Sequence, residues 1–176
     1  MARLIIYCFI ITSSIISLFS CSGLVEKQAE KKDVSSMESL EKVNRYLVRT
    51  EGEDIENYIR RHGWDMEETG TGLRVWVYEH GNGPQAEKGL VATLNYKTWL
   101  INGDLIYSSN ELGPKEFLIG KGGVESGLEE AILKLHVGDK AKLIIPSHLA
   151  FGLLGDNNKI PPRSTVVYDI ELISLK

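Results

Sequence analysis

The sequence predicts an α+β domain, an antiparallel sheet curled around one short helix, behind an N-terminal helical segment. Three observations predict it. After Trp64, apolar and polar residues alternate along several stretches, the period of a strand with one buried and one wet face. A single amphipathic helix, from about Ser126 to Leu135, interrupts those strands, so the sheet is expected to wrap it. Before Trp64 the apolar period is that of a helix. The composition, 43% hydrophobic and 25% charged, is that of a globular protein, and 17 glycines favour turns and strands over a helical bundle.

In chain order, residues 1–21 stand apart. Arg3 is their only charge, and the apolar run from Leu4 to Phe19 contains Thr12, Ser13, Ser14 and Ser17. It is shorter than the ~20 apolar residues of a membrane-spanning helix, so it reads as a secretory signal; a retained signal anchor is the alternative. Its end, Leu18-Phe19-Ser20-Cys21, resembles the bacterial lipoprotein cleavage motif, with Phe19 bulkier than the usual occupant. The resemblance implies that Cys21 becomes the first mature residue and carries lipid, at ~0.8 kcal/mol per buried methylene. The chain has two cysteines, Cys8 and Cys21, so the rest of it forms no internal disulfide and offers no thiolate to a metal.

Residues 22–35, "SGLVEKQAEKKDVS", are polar and show no apolar period, which predicts a flexible tether. Residues 36–63 are expected to form two short helices. Ser35 with Glu38, and Thr50 with Glu53, make capping-box patterns. Leu40, Val43, Leu47 and Val48 share one face of the first, and Ile55, Tyr58, Ile59 and His62 one face of the second, which Gly63 ends. These faces pack either on the following domain or on another copy, giving a homodimer through residues 36–63.

Residues 64–176 form the sheet domain. "WDMEETGTGLRVWVYE" reads as a hairpin turning at Thr69-Gly70-Thr71-Gly72. In "LVATLNYKTWLI", Leu90, Ala92, Leu94, Tyr96 and Leu100 fall on one face, and "AKLIIP" is a further strand. In "STVVYDIELISL", Val166, Tyr168, Ile170 and Leu172 face one side, Asp169 and Glu171 the other. Ser126 and Glu129 make a capping box for the short helix, whose stripe is Leu128, Ala131, Ile132 and Leu135.

Several chemistries find no residues. The four histidines are scattered, without zinc spacing, so no metal is expected. Gly120-Lys121-Gly122-Gly123 lacks the spacing of a phosphate loop, and no cofactor is expected. Net charge is −4, pI is about 5.6 and no basic cluster exists, so nucleic acid is not an expected partner. The acidic pairs Glu67-Glu68 and Glu129-Glu130 read as solvated faces rather than acid–base couples.

Three blocks carry a resemblance: "GLVATLNYKTWLINGDLIYSS", "EFLIGKGGVESGLEEAILKLHVGDKAKLIIP" and "LAFGLLGDNNKIPPRSTVVYDIEL". Together, from about Ala86 to Lys176, they resemble the FKBP-type peptidyl-prolyl cis/trans isomerases, in a bacterial lipoprotein form similar to those of some gliding-motility machineries. The resemblance implies a five- or six-stranded antiparallel sheet and an apolar pocket that takes a proline ring. It places Tyr96, Phe117 and Tyr168 in the pocket walls and Leu128 at its floor. Val124 and Glu125 lie in the loop before the helix, where the Glu125 N–H binds a substrate carbonyl. Phe151 and Ile160 come from a flap, Ala150 to Pro162, stiffened by Pro161-Pro162. Tyr107 is expected in the substrate-binding flap with Leu153 and Leu154. Leu153 and Leu154 are expected either to touch the client chain or to pack under the flap. Proline-containing unfolded or exported polypeptides are the implied partners, with the membrane reached through the lipid on Cys21.

The chain departs from the family pattern at particular residues. Leu128 stands for the usual floor tryptophan, Phe151 for a tyrosine, and Ile106-Tyr107 for Phe-Asp. Losing the aspartate and the phenol removes polar partners worth ~1 kcal/mol each.

Overall fold

The structure, a computed structural model, describes the backbone of residues 22–176 and the side chains of residues 37–176. Cys21 and the secretory signal expected before it lie outside the described residues. The chain divides into two compact units, Met1–Arg49 and Thr50–Lys176.

Helix α1 spans Ser22–His62 without a break, which corrects both the tether expected at residues 22–35 and the two short helices expected after it. The Ser35 and Thr50 capping patterns fall inside the helix, where there is no free helix start to cap. No proline interrupts the run, and the internal Gly52 costs only ~1 kcal/mol against alanine. Ion pairs one turn apart support it: Lys42 with Glu38 at 2.9 Å and Arg45 with Glu41 at 2.5 Å. Arg60, Arg61 and His62 complement the dipole of the last turn, and Gly63, at φ +65°, ends the helix as predicted. Leu40, Val43 and Val48 are exposed, whereas Ile55 and Tyr58 are buried.

The sheet contains β1 (Glu67–Glu68), β2 (Arg74–Glu79), β3 (Val91–Leu100), β4 (Leu105–Ser108), β5 (Lys115–Leu118), β6 (Lys140–Ile145) and β7 (Val166–Leu175). Its order is β1-β2-β6-β7-β3-β4, with β5 also on β3, and the pairs are antiparallel. The predicted hairpin closes where expected, with the Thr69 N–H donating to the Leu73 carbonyl at 2.9 Å. Seven strands replace the five or six expected because the edge beside β3 is split. β5 pairs with Val91–Leu94 and β4 with Lys97–Trp99. Between them the chain detours through the short helix α2 (Ser109–Leu112), capped by Ser108. The Tyr96 N–H, left without a strand partner by the detour, donates to the Ser109 hydroxyl at 3.1 Å.

Helix α3 (Ser126–Ile132) is shorter than predicted, because tighter turns follow it, Lys134 N–H to Ala131 and Leu135 N–H to Ile132. Its capping box does not form. Glu125 is the cap residue, the Ser126 hydroxyl donates to the Leu149 carbonyl at 3.1 Å, and Glu129 accepts the Gly122 N–H at 2.8 Å. Gly127 lets the helix lie this close to the sheet: a Cβ there would sit 2.4 Å from Ile145 Cγ2.

The inner face of the sheet follows the predicted alternation. Leu94, Tyr96, Leu143, Tyr168, Ile170 and Leu172 pack against Leu128, Ala131, Ile132 and Leu135. The outer face is not simply wet, a second correction. Ile55 and Tyr58 cover Ile144 and Val167, with Trp64, Met66 and Trp99 packed around them. The Lys142 ammonium lies 5.6 Å from the Trp64 ring, 5.5 Å from Tyr78 and 5.8 Å from Trp99, and pairs with Asp169 at 2.5 Å. Trp76 leans on Trp64 at 6.4 Å. Glu51 on α1 ties the base of the flap. It accepts the Ser147 N–H at 2.7 Å, the Ser147 hydroxyl at 3.1 Å and the Thr165 hydroxyl at 2.6 Å.

Candidate active site

The pleat of β3 and β7 aims Tyr96 and Tyr168 at the same side of the sheet, and their rings lie 6.5 Å apart. Phe117 on β5 stands opposite Ala92, whose small side chain leaves it room. Leu128 rises from the first turn of α3, and Ile160 comes in from the flap. These five are buried in one apolar cluster, with Val124, Phe151, Ile106 and Tyr107 partly buried at its edge. Sequence separation is large, and the sheet register is what assembles them.

Leu153 and Leu154 do not pack under the flap; they are 68% and 76% exposed at its tip. Gly155, at φ +72°, makes the turn that follows, and a Cβ there would meet the Ile160 carbonyl at 2.2 Å. The Arg163 N–H donates to the Gly152 carbonyl at 2.8 Å and closes the flap on itself.

Tyr107 stands on β4 rather than in the flap, but its hydroxyl donates to the Asp156 carboxylate and accepts from the Asn158 amide at 3.1 Å. Asp156 also accepts the N–H groups of Asn158 at 2.9 Å and Ile160 at 2.8 Å. The phenol and the acid missing from the family pattern are thus both present, with the phenol on β4 and the acid on the flap. Burial pushes the Asp156 carboxyl up, but the bonds from Tyr107, Ile160 and Asn158 outweigh it and hold the group below the usual aspartate range. Burial, then the bond to Asp156, raises the Tyr107 phenol.

Glu125 carries a feature that sequence reasoning missed. Among the described residues its backbone N–H donates to no partner, so it is free for a substrate carbonyl. Its side chain, however, is only 6% exposed and turns toward the aromatic walls. The Tyr168 hydroxyl donates to Glu125 Oε1 at 2.9 Å, and the Lys115 ammonium lies 3.8 Å from the same oxygen. Lys115 also sits 5.2 Å from the Tyr96 ring and 5.9 Å from the Tyr168 ring. Burial, followed by the charge and hydrogen bond of Glu125, raises the Tyr168 phenol well above its ordinary range. Burial, then Glu125, raises Tyr96. A glutamate beside a serine-capped-looking helix reads as a surface residue, and no sequence signal marks it as an inward one.

Comparison with known proteins bears on this geometry. Residues 83–173 match the family model of the FKBP-type peptidyl-prolyl cis-trans isomerases. FK506-binding protein 2 of Yarrowia lipolytica is 41% identical over 92 residues, 52% of this chain, and the chain spans 64% of that relative, under two thirds of its length. FK506-binding protein 1 of Dictyostelium discoideum is 33% identical over 106 residues, 60% of this chain and 99% of its own length. Among solved structures, FkpA from Escherichia coli aligns with a TM-score of 0.64 at 28% identity, over 94% of this chain and 78% of that one. A curled antiparallel sheet over α3, an apolar cluster at its mouth and a match of this extent place the chain in one family: it belongs to the FKBP-type peptidyl-prolyl cis-trans isomerases.

Proposed function

We propose that this protein catalyses rotation about X–Pro bonds, assisting the folding of exported proteins from a lipid anchor at Cys21. The observation that carries the reading is the convergence of Tyr96, Phe117, Leu128, Ile160 and Tyr168 in one apolar cluster beside the open Glu125 N–H. Unaided rotation faces a barrier of ~18–20 kcal/mol. The planar amide is strongly dipolar and the twisted one less so, so apolar walls disfavour the ground state more than the transition state. The Glu125 N–H holds a substrate carbonyl while the ring is lodged, which adds binding specific to the twisted form. The chemistry asks for no nucleophile.

The test is cis-to-trans isomerisation of short X–Pro peptides with the full chain. Acceleration that scales with protein concentration is expected, and an unchanged rate at high protein concentration removes the enzymatic reading. Leu153 and Leu154, bare at the flap tip, favour a second reading in which the same cleft holds client chains without turnover. In that case suppression of aggregation of a proline-free unfolded protein weakens when both leucines become serine. Intact suppression in that variant rejects the flap as the contact. The exposed Leu40, Val43 and Val48 of α1 extend the proposal to a homodimer through residues 36–63, which sedimentation of the chain at a monomer's mass would reject.

A further inference from the structure

The described side chains leave one buried carboxylate oxygen without a partner, Glu125 Oε2. It lies at the aromatic walls, since the Tyr168 hydroxyl binds the other oxygen of the same carboxylate. A buried carboxylate oxygen without a donor is costly, and it costs less once a ligand supplies one. What surrounds the carboxylate as a whole indicates the donor. The faces of Tyr96 and Tyr168 together with a carboxylate form the surroundings that hold an ammonium or guanidinium group. In this chain a cation already occupies them: the Lys115 ammonium, 5.2 Å and 5.9 Å from the two rings. Lys115 fits loosely, since it stands 3.8 Å from Oε1, beyond hydrogen-bond reach, and is 27% exposed, so it can be displaced.

We propose that Glu125 makes this site selective for prolines flanked by a basic residue, whose ammonium or guanidinium takes the place of Lys115 between Tyr96, Tyr168 and the Glu125 carboxylate. The inference rests on the isomerase reading of the same site. It gives Glu125 two roles on one residue: the backbone N–H holds the substrate carbonyl, and the side chain reads the charge next to the proline. Lys115 is then a tethered stand-in that keeps the carboxylate compensated when no substrate is present. A lysine or arginine side chain is long enough to leave its own backbone in the cleft mouth while its head reaches the rings.

The experiment measures kcat/KM of the full chain on peptides of the form Ala-Xaa-Pro-Phe, with Xaa lysine, leucine or glutamate, and on a companion set varied after the proline. In one of the two sets the lysine peptide is expected to exceed the leucine peptide about tenfold and the glutamate peptide by more. Glu125→Gln narrows the lysine-to-glutamate spread to under about twofold, whatever it does to absolute rates, and Lys115→Met widens it. Turnover of all peptides at equal rates in the unaltered protein overturns the inference and leaves the isomerase reading standing. A spread that survives Glu125→Gln also overturns it. Turnover of no peptide removes both.

Discussion

Tyr107→Phe removes one oxygen and keeps the ring that packs at the edge of the apolar cluster. The oxygen donates to the Asp156 carboxylate and accepts from the exposed Asn158 amide. Water replaces the second bond at little cost. The first is a bond to a charged acceptor, worth ~1.5–3 kcal/mol. Asp156 keeps the Asn158 and Ile160 N–H donors at 2.9 Å and 2.8 Å, so the carboxylate is not orphaned and the lower half of that range applies. A loss of ~2 kcal/mol corresponds to a rise of about 30-fold in the opening equilibrium of the flap. The effect is local, because β6 and β7 do not depend on this contact. Native-state hydrogen exchange reads it: the Ile160 and Asn158 amides should exchange about 30-fold faster, while the Leu143 amide in β6 keeps its rate. Acidification gives a second reading. Asp156 titrates below the usual aspartate value in the folded chain, so its contribution is complete above about pH 3.9 and disappears as pH falls through the lowered value. In Tyr107→Phe the flap should loosen at a higher pH than in the unaltered protein. Ile160 exchange within twofold of the original, at neutral pH, would refute the idea that this bond holds the flap shut.

Other outcomes test the scaffold. Glu51→Ala strips the acceptor shared by the Ser147 N–H and the Ser147 and Thr165 hydroxyls; a loss of ~2–4 kcal/mol in denaturant unfolding is expected, and an unchanged midpoint would mean the helix does not brace the flap base. The raised Tyr168 phenol favours the folded state fully below the ordinary tyrosine range, and that stability is lost as pH rises toward the displaced value. A spectrophotometric titration should therefore leave several tyrosines, Tyr168 among them, un-ionised beyond pH ~10, and Tyr168→Phe should lower the amplitude of that late phase by one tyrosine.

The apolar half of the site was legible because it depends on periodicity. Tyr96 and Tyr168 fall on the buried parity of their strands, Leu128 on the stripe of its helix, and family register supplied the rest. The polar half was not, because it depends on pairs that meet only in space. Tyr107 and Asp156 are 49 residues apart, and Glu125 and Tyr168 are 43 apart. Nothing in either local stretch says that the acid turns inward. The long helix was hidden for the opposite reason: capping signals at Ser35 and Thr50 are local, and continuation of the helix overrode them. The covered outer face could have been suspected from Ile144 and Val167, apolar at positions where alternation alone asks for polar residues.

The chain's three indoles, Trp64, Trp76 and Trp99, all sit on the far side of the sheet from the cluster of Tyr96, Leu128 and Tyr168. Intrinsic emission is then a gauge of whether the end of the helix stays seated on the strands, quenched or shifted by what happens around Lys142. Titration with a peptide can saturate the cleft and leave that emission unmoved, so a silent fluorescence trace says nothing about occupancy, and a dye-labelled peptide has to serve as the reporter instead.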